Sequence, residues 1–107
     1  MEQVTHCTTY EEARNKALAW MEAWAGPIGA HCEIEIGRLG VGLGLEVGVS
    51  STLSPFRRIR LDFDPVKGPH FNVEIGKGNG RNKHAFTFPG DEQTAIAHFR
   101  NRKPRNG

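Results

Sequence analysis

Three stretches in the second half of the chain alternate between polar and apolar side chains. They cover residues 57–63, 70–75 and 84–88. A period of two residues is typical of β-strands, in which successive side chains point to opposite faces of the sheet. The sequence therefore predicts three strands. A stiff corner at residues 64–70 joins the first two, and a turn at residues 77–81 with an Asn-Gly pair joins the last two.

The first half predicts a helix and further strands. A Thr9-x-x-Glu12 capping box and an apolar stripe predict a helix over residues 9–24. Residues 31–36 and the glycine-rich segment 37–49 also alternate, and they are followed by a turn at residues 50–55. The glycines indicate a bent strand or the close approach of another backbone. They match neither G-x-G-x-x-G nor a P-loop, so a nucleotide site is not predicted.

A short closing helix after Gly90 completes an α+β domain. We predict that residues 1–107 form one domain, with an N-terminal helix packed on a curved, mainly antiparallel sheet of about four or five strands. The sequence shows neither a membrane-length apolar run nor a signal peptide, and the polar tail suggests a fragment of a longer protein. Cys7 and Cys32 are too few for a disulfide scaffold, and whether they form a single bridge stays open.

Charge is distributed unevenly along the chain. Residues 1–54 hold three cations and seven carboxylates, a net charge of −4, whereas residues 55–107 hold eleven cations and five carboxylates, a net charge of +6. The basic half favours a polyanionic partner, and nucleic acid is the commonest one. The alternative is a basic surface that has no partner.

Strand parity predicts which polar side chains share a face. Arg58 and Asp62 are predicted to point outward. If the three strands are neighbours, one open face displays a set of six residues together: Arg60, His70, Asn72, Glu74, Lys83 and Thr87. His84 has the parity of Phe86 and Phe88 and therefore points inward with them. A histidine beside a second acid or base and several cations suits metal-independent RNA cleavage, in which the ribose 2′-hydroxyl supplies the nucleophile.

Each of these residues also has a structural interpretation. His70 can be a turn histidine bonded to backbone, and His84 a core histidine. Glu74 can pair with Lys83 alone, and Asp64 can simply form the turn. The cations Lys67, Lys77, Arg81 and Lys83 can be solvated loop residues. No role is assigned to His6, His31 or His98.

Other catalytic motifs are incomplete. His31-Cys32-Glu33 matches the H-x-E of zinc deaminases, but the P-C-x-x-C that completes their zinc site is missing from the sequence. The sequence also lacks H-E-x-x-H, C-x-x-C and G-x-S-x-G. We therefore predict neither a metal nor another cofactor.

The segment Asp64-Pro65-Val66-Lys67-Gly68-Pro69-His70-Phe71-Asn72-Val73 resembles a family of bacterial toxin domains. Similar features are the basic turn, the stretch His84–Gly90, the closing helix and the opening Glu12–Ala17 helix. The family comprises the C-terminal nuclease domains of polymorphic toxins of the contact-dependent inhibition and Rhs types. Residues 26–54 lie outside the resemblance.

The resemblance implies a ribonuclease of the barnase/EndoU/colicin/RelE type that cleaves tRNA or rRNA. It also implies secretion within a larger effector, action in the cytoplasm of a competing cell, and a cognate immunity protein with an acidic surface. The resemblance also implies catalytic roles for His70, Lys67 and Asn72.

We therefore predict a ribonuclease toxin domain. His70 would be the general acid or base, with Glu74 or His84 as its counterpart. Lys67 would face the phosphate. Asn72 and Thr87 would be positioning residues. The predicted substrate-binding cations are Arg58, Arg60, Lys77, Arg81 and Lys83. The alternatives are a non-catalytic nucleic-acid-binding module and an immunity or adaptor protein.

Overall fold

A computed structural model describes residues 3–26, 32–36, 46–51, 56–76 and 82–100 of the chain. Within these ranges the chain forms six strands and two helices. In chain order they are β1 (Gln3–His6), α1 (Tyr10–Ala25), β2 (Cys32–Ile36), β3 (Glu46–Ser51), β4 (Arg57–Asp64), β5 (Gly68–Ile75), β6 (Asn82–Thr87) and α2 (Glu92–Arg100).

All six strands belong to one sheet, in the order β1-β6-β5-β4-β3-β2. The pairs from β2 to β6 are antiparallel, and β1 joins β6 in parallel. This architecture confirms the predicted α+β class, with an N-terminal helix, a mainly antiparallel sheet and a short C-terminal helix. Strand β1 was not predicted from the sequence, and it adds a strand to those that were. The predicted turn at residues 77–81 and the glycines at 37–44 lie outside the described residues.

Helix α1 begins where the capping motif predicted. The hydroxyl of Thr9 accepts a hydrogen bond from the backbone N–H of Glu12 at 3.0 Å. The Glu12 carboxylate reaches one residue further back than in a capping box and accepts from both the backbone N–H and the hydroxyl of Thr8. The helix ends at Gly26, whose φ of 86° suits glycine.

The core lies between one face of the sheet and the two helices. Ala13, Ala17 and Met21 of α1 pack with the inward side chains of β4, β5 and β6, and Ala95 and Ile96 of α2 join the same cluster. Leu61 and Val73 are fully buried at its centre. We call this surface the helix face. Its residues have the parity that the alternation predicted.

Strand β3 approaches β4 closely at one glycine. A Cβ atom added to Gly48 would lie 2.0 Å from the carbonyl oxygen of Ile59 and 2.5 Å from Cα of Arg60. The predicted close approach of another backbone is therefore confirmed at Gly48. The turn predicted at residues 50–55 begins too early, because Ser50 and Ser51 still belong to β3.

Cys7 follows β1 directly and is a free, buried thiol. Burial is the largest cause that raises the pKa of this thiol, which disfavours the reactive thiolate. In the described part of the chain, neither helix has the length and apolar character to cross a membrane.

Candidate functional site

The strand register brings four polar side chains into one row across β1, β6, β5 and β4. His6 is paired with Thr87, Thr87 with His70, and His70 with Asp62. All four residues lie on the sheet face opposite the helix face. We call them the histidine row.

Two further rows run parallel to the first, and with it they form the polar face. In the second row Asn72 lies opposite Arg60 on β4 and Ala85 on β6. In the third, Glu74 lies between Arg58 and Lys83. The shared face predicted from parity is thereby confirmed.

His70 is held by the backbone two residues before it. Its Nδ1 lies 2.8 Å from the carbonyl oxygen of Gly68. A carbonyl oxygen only accepts hydrogen bonds, so Nδ1 carries the proton. Nε2 lies 3.3 Å from Nδ2 of Asn72. The residue is only 2% exposed.

Asp62 determines which way the Asn72 amide points. Its Oδ2 accepts from Nε of Arg60 at 2.7 Å and from Nδ2 of Asn72 at 2.9 Å. With the amide nitrogen directed at the carboxylate, the same nitrogen donates its second hydrogen to Nε2 of His70. In this contact Nε2 of His70 is the hydrogen-bond acceptor. This atom has the form that a general base requires.

Glu74 is engaged in an ion pair away from the histidine row. Its Oε1 lies 2.6 Å from a terminal nitrogen of Arg58, and its side chain is 7% exposed. Glu74 therefore does not pair with Lys83 alone. Four residues of strand separate Glu74 from His70, which is about 13 Å between Cα atoms. Both lie on the polar face, but this distance keeps their side chains apart.

The corner before β5 is built by Asp64, as its structural interpretation predicted. Its Oδ1 accepts from the backbone N–H groups of Val66 at 2.8 Å and Lys67 at 2.6 Å. The Lys67 hydrogen bond is the largest cause that lowers the pKa of Asp64. Gly68 adopts a φ of 76°, which disfavours residues with a side chain. The corner therefore presents the Gly68 carbonyl to His70.

The cations predicted to bind substrate have different surroundings in the structure. Lys67 lies 3.8 Å from the Asp64 carboxylate beside the corner. Arg60 and Arg58 pair with Asp62 and Glu74. Lys83 is half-buried and, within the described residues, makes no ion pair. Lys77 and Arg81 lie outside the described residues.

His84 lies on the helix face and does not join His70. Its Nε2 lies 2.7 Å from the hydroxyl of Thr5, its ring stacks on Phe86 at 4.0 Å, and Trp20 of α1 contacts it edge-on at 5.1 Å. These contacts are those of a core histidine. The geometry therefore does not support His84 as the counterpart of His70.

His6 is the site residue that the sequence analysis passed over. It is exposed, and its Nδ1 lies 2.8 Å from the hydroxyl of Thr87. Only its place in β1 brings it to the polar face, and a four-residue strand with one apolar side chain gives too weak an alternation to reveal that. His98, also left without a role, stacks on Tyr10. His31 lies outside the described residues.

The polar face can hold and orient a histidine, accept a proton on Nε2 and present cations. Groups of three or more His, Cys, Asp or Glu side chains able to hold a metal ion do not occur in the described ranges. No protein-family model matches the chain, and no curated protein matches it either. The resemblance to toxin domains therefore remains a prediction.

Proposed function

We propose that the polar face is the active site of a metal-independent ribonuclease. The observation that carries this proposal is the bonding of His70: Gly68 fixes the proton on Nδ1, and Asn72 directs a donor at Nε2. Together they leave Nε2 as a proton acceptor on the face where the cations of β4 and β6 lie. A base of this kind is what transesterification of RNA needs first.

In the proposed reaction, Nε2 of His70 removes the proton of a ribose 2′-hydroxyl. The 2′-oxygen attacks the adjacent phosphorus, and the bond from phosphorus to the 5′-oxygen breaks. The contact between Nε2 and Asn72 is long, at 3.3 Å. A substrate hydroxyl can replace it, since catalytic hydrogen bonds often tighten only in the substrate complex.

One cation of the polar face is suited to stabilise the charge that develops on phosphorus. Arg60 lies directly opposite Asn72, and its Nε is held by Asp62. Lys83 lies on β6, four residues or about 13 Å from Thr87, so it would contact a neighbouring phosphate of the RNA instead. Fixed cations in a site sheltered from water stabilise such charge more than solvated ones do.

The same proposal extends to the biological setting. The basic second half of the chain supports RNA as the substrate. We propose tRNA or rRNA as the target, delivery of the domain by a larger secreted effector into a competing cell, and inhibition by an acidic immunity protein. These three points rest on the resemblance alone.

A second candidate is a nucleic-acid-binding module without catalysis. The burial of His70 and the pairing of Arg58 and Arg60 with carboxylates favour it. In this case the network on the polar face would serve only to keep the sheet rigid. RNA would then bind to the outer cations, with an affinity that falls steeply with salt.

The test compares the wild-type domain with His70→Asn on total bacterial RNA in the presence of EDTA. Asparagine at position 70 retains an amide that can bond the Gly68 carbonyl, but it lacks the proton acceptor at Nε2. We expect the wild type to fragment RNA and the variant to be slower by about 10²–10⁴. Denaturing gels measure the cleavage rates.

The matched control is His98→Asn, which changes a histidine that stacks on Tyr10 away from the polar face. It should cleave RNA at the wild-type rate. Intact RNA with the wild-type domain would contradict the ribonuclease proposal, and salt-sensitive RNA binding in the same sample would support the binding module. Cleavage that stops when EDTA is added would contradict a metal-independent mechanism.

A further inference from the structure

A second histidine lies at the edge of the polar face, on the strand that the sequence analysis missed. His6 is the last residue of β1, and its side chain is exposed. The hydroxyl of Thr87 lies 2.8 Å from its Nδ1. The ring therefore has one nitrogen held by the protein, while Nε2 makes no hydrogen bond to the described residues.

Backbone hydrogen bonds tie the strands of both histidines of the histidine row to β6. The N–H of Cys7, the residue after His6, donates to the carbonyl oxygen of Thr87 at 2.8 Å. The N–H of Phe88 donates to the carbonyl oxygen of Pro69, the residue before His70, at 3.1 Å. Thus β1 and β5 are both tied to β6 at this row, and the spacing between the two histidines is set by the sheet.

That spacing suits a group placed between the two rings. His6 and His70 are separated by β6 alone, so their Cα atoms lie about 10 Å apart. Both side chains are on the polar face, and among the described residues Thr87 lies between them in the row. A phosphodiester above Thr87 would have one imidazole on each side. In-line displacement at phosphorus requires this arrangement, because the attacking and leaving oxygens are on opposite sides.

We propose that His6 is the general acid of the ribonuclease reaction, an inference that rests on the function proposed above. As His70 takes the 2′-hydroxyl proton, the bond between the 2′-oxygen and phosphorus forms. Nε2 of protonated His6 gives its proton to the departing 5′-oxygen, and the phosphorus–oxygen bond to it breaks. The products are a 2′,3′-cyclic phosphate and a free 5′-hydroxyl.

Hydrolysis of the cyclic phosphate returns both histidines to their starting forms. Neutral His6 removes a proton from the attacking water, and protonated His70 gives a proton to the 2′-oxygen as its bond to phosphorus breaks. Thr87 is the positioning residue for His6, since its hydroxyl accepts from Nδ1–H of the protonated ring.

The other candidates for this role are placed less well. Glu74 is bonded to Arg58 and lies about 13 Å along the strand from His70. His84 lies on the opposite face of the sheet, in contact with Trp20. His6 is exposed, on the correct face and one strand beyond Thr87.

The test uses an RNA oligonucleotide in which the 5′-oxygen at the bond that the wild type cleaves is replaced by sulfur. A thiolate leaves without being protonated, so this substrate does not need a general acid. We expect His6→Gln to cleave the oxygen substrate slower by about 10²–10⁴ and to cleave the sulfur substrate at the wild-type rate. His70→Asn should be slow on both substrates, because it lacks the base.

Gln3→Ala is the matched control, since Gln3 is exposed on the same strand and has the parity of the helix face. It should cleave both substrates as the wild type does. The inference is overturned if His6→Gln cleaves the oxygen substrate normally, or if it is equally slow on both substrates. A wild-type domain that cleaves no RNA contradicts the proposed function itself, a result distinct from either of these.

Discussion

The two faces of the sheet hold their histidines in different ways. On the helix face, His84 stacks on Phe86, contacts Trp20 edge-on and bonds the hydroxyl of Thr5. On the polar face, His70 is bonded to a backbone carbonyl and to an amide whose own orientation is determined by Asp62. Both rings are buried, so burial alone does not distinguish them. Their partners do.

This difference shows how one sheet can divide two tasks. The helix face packs apolar side chains from three strands against both helices and therefore carries most of the hydrophobic stabilisation. The polar face contains ion pairs and hydrogen bonds that contribute little net stability to the fold but fix the orientations of the side chains. Substitutions on the helix face should thus act through folding, and substitutions on the polar face should act through chemistry.

The largest expected effect on stability belongs to the helix face. Leu61 is fully buried beneath the helices, and Leu61→Ala leaves a cavity there. We expect the free energy of unfolding in urea to fall by about 2–5 kcal/mol. Leu61→Met conserves volume and should cost less than about 1.5 kcal/mol. A loss for alanine no greater than that for methionine would contradict a tightly packed helix face.

His84→Gln tests the division between the faces directly. The variant loses the ring contacts with Phe86 and Trp20, so the free energy of unfolding should fall by about 1–3 kcal/mol. At a temperature where the variant remains folded, its RNA cleavage rate should equal that of the wild type. Far-UV circular dichroism and the cleavage assay measure the two quantities on one sample. A folded variant as slow as His70→Asn would place catalysis on both faces.

Alternation was sufficient to predict most of this fold, because one face of the sheet is buried by helices. In β4 and β5 the apolar residues Leu61 and Val73 lie where a period of two places them. Strand β1 was not predictable in this way. It is four residues long, and its pairing with residues 84–87 of β6 is a contact between the two ends of the chain.

The sequence predicts which residues share the polar face, but it does not predict which hydrogen bonds and ion pairs they form. Parity brings Arg58, Glu74 and Lys83 to one row, and both cations lie directly opposite Glu74. Nothing in the alternation decides which of them binds the carboxylate. The structure shows that it is Arg58, at 2.6 Å. For the same reason, the orientation of the Asn72 amide depends on Asp62, which the sequence analysis placed on the face without a role.

The smallest expected effect belongs to Asp64, whose turn holds the Gly68 carbonyl beneath His70. Backbone hydrogen bonds lower its pKa in the folded protein below the ordinary value of 3.8. The carboxylate therefore stabilises the fold fully above pH 3.8, and this stabilisation is lost as pH falls through the lower, folded-state pKa. At neutral pH we expect Asp64→Asn to cost about 1 kcal/mol or less, because the side chain is partly exposed.

Urea unfolding of the wild type and Asp64→Asn between pH 2 and pH 7 measures this dependence. The difference in free energy should shrink as pH falls, whereas the Leu61→Ala difference should stay constant because that substitution removes no titratable group. Glu22→Gln, an exposed position on α1, controls for the loss of one carboxylate and should change stability by less than about 0.5 kcal/mol. An Asp64→Asn difference that stays constant or grows in acid would mean that the corner does not depend on the ionised carboxylate. The orientation of His70 would then have to come from the β4–β5 pairing alone.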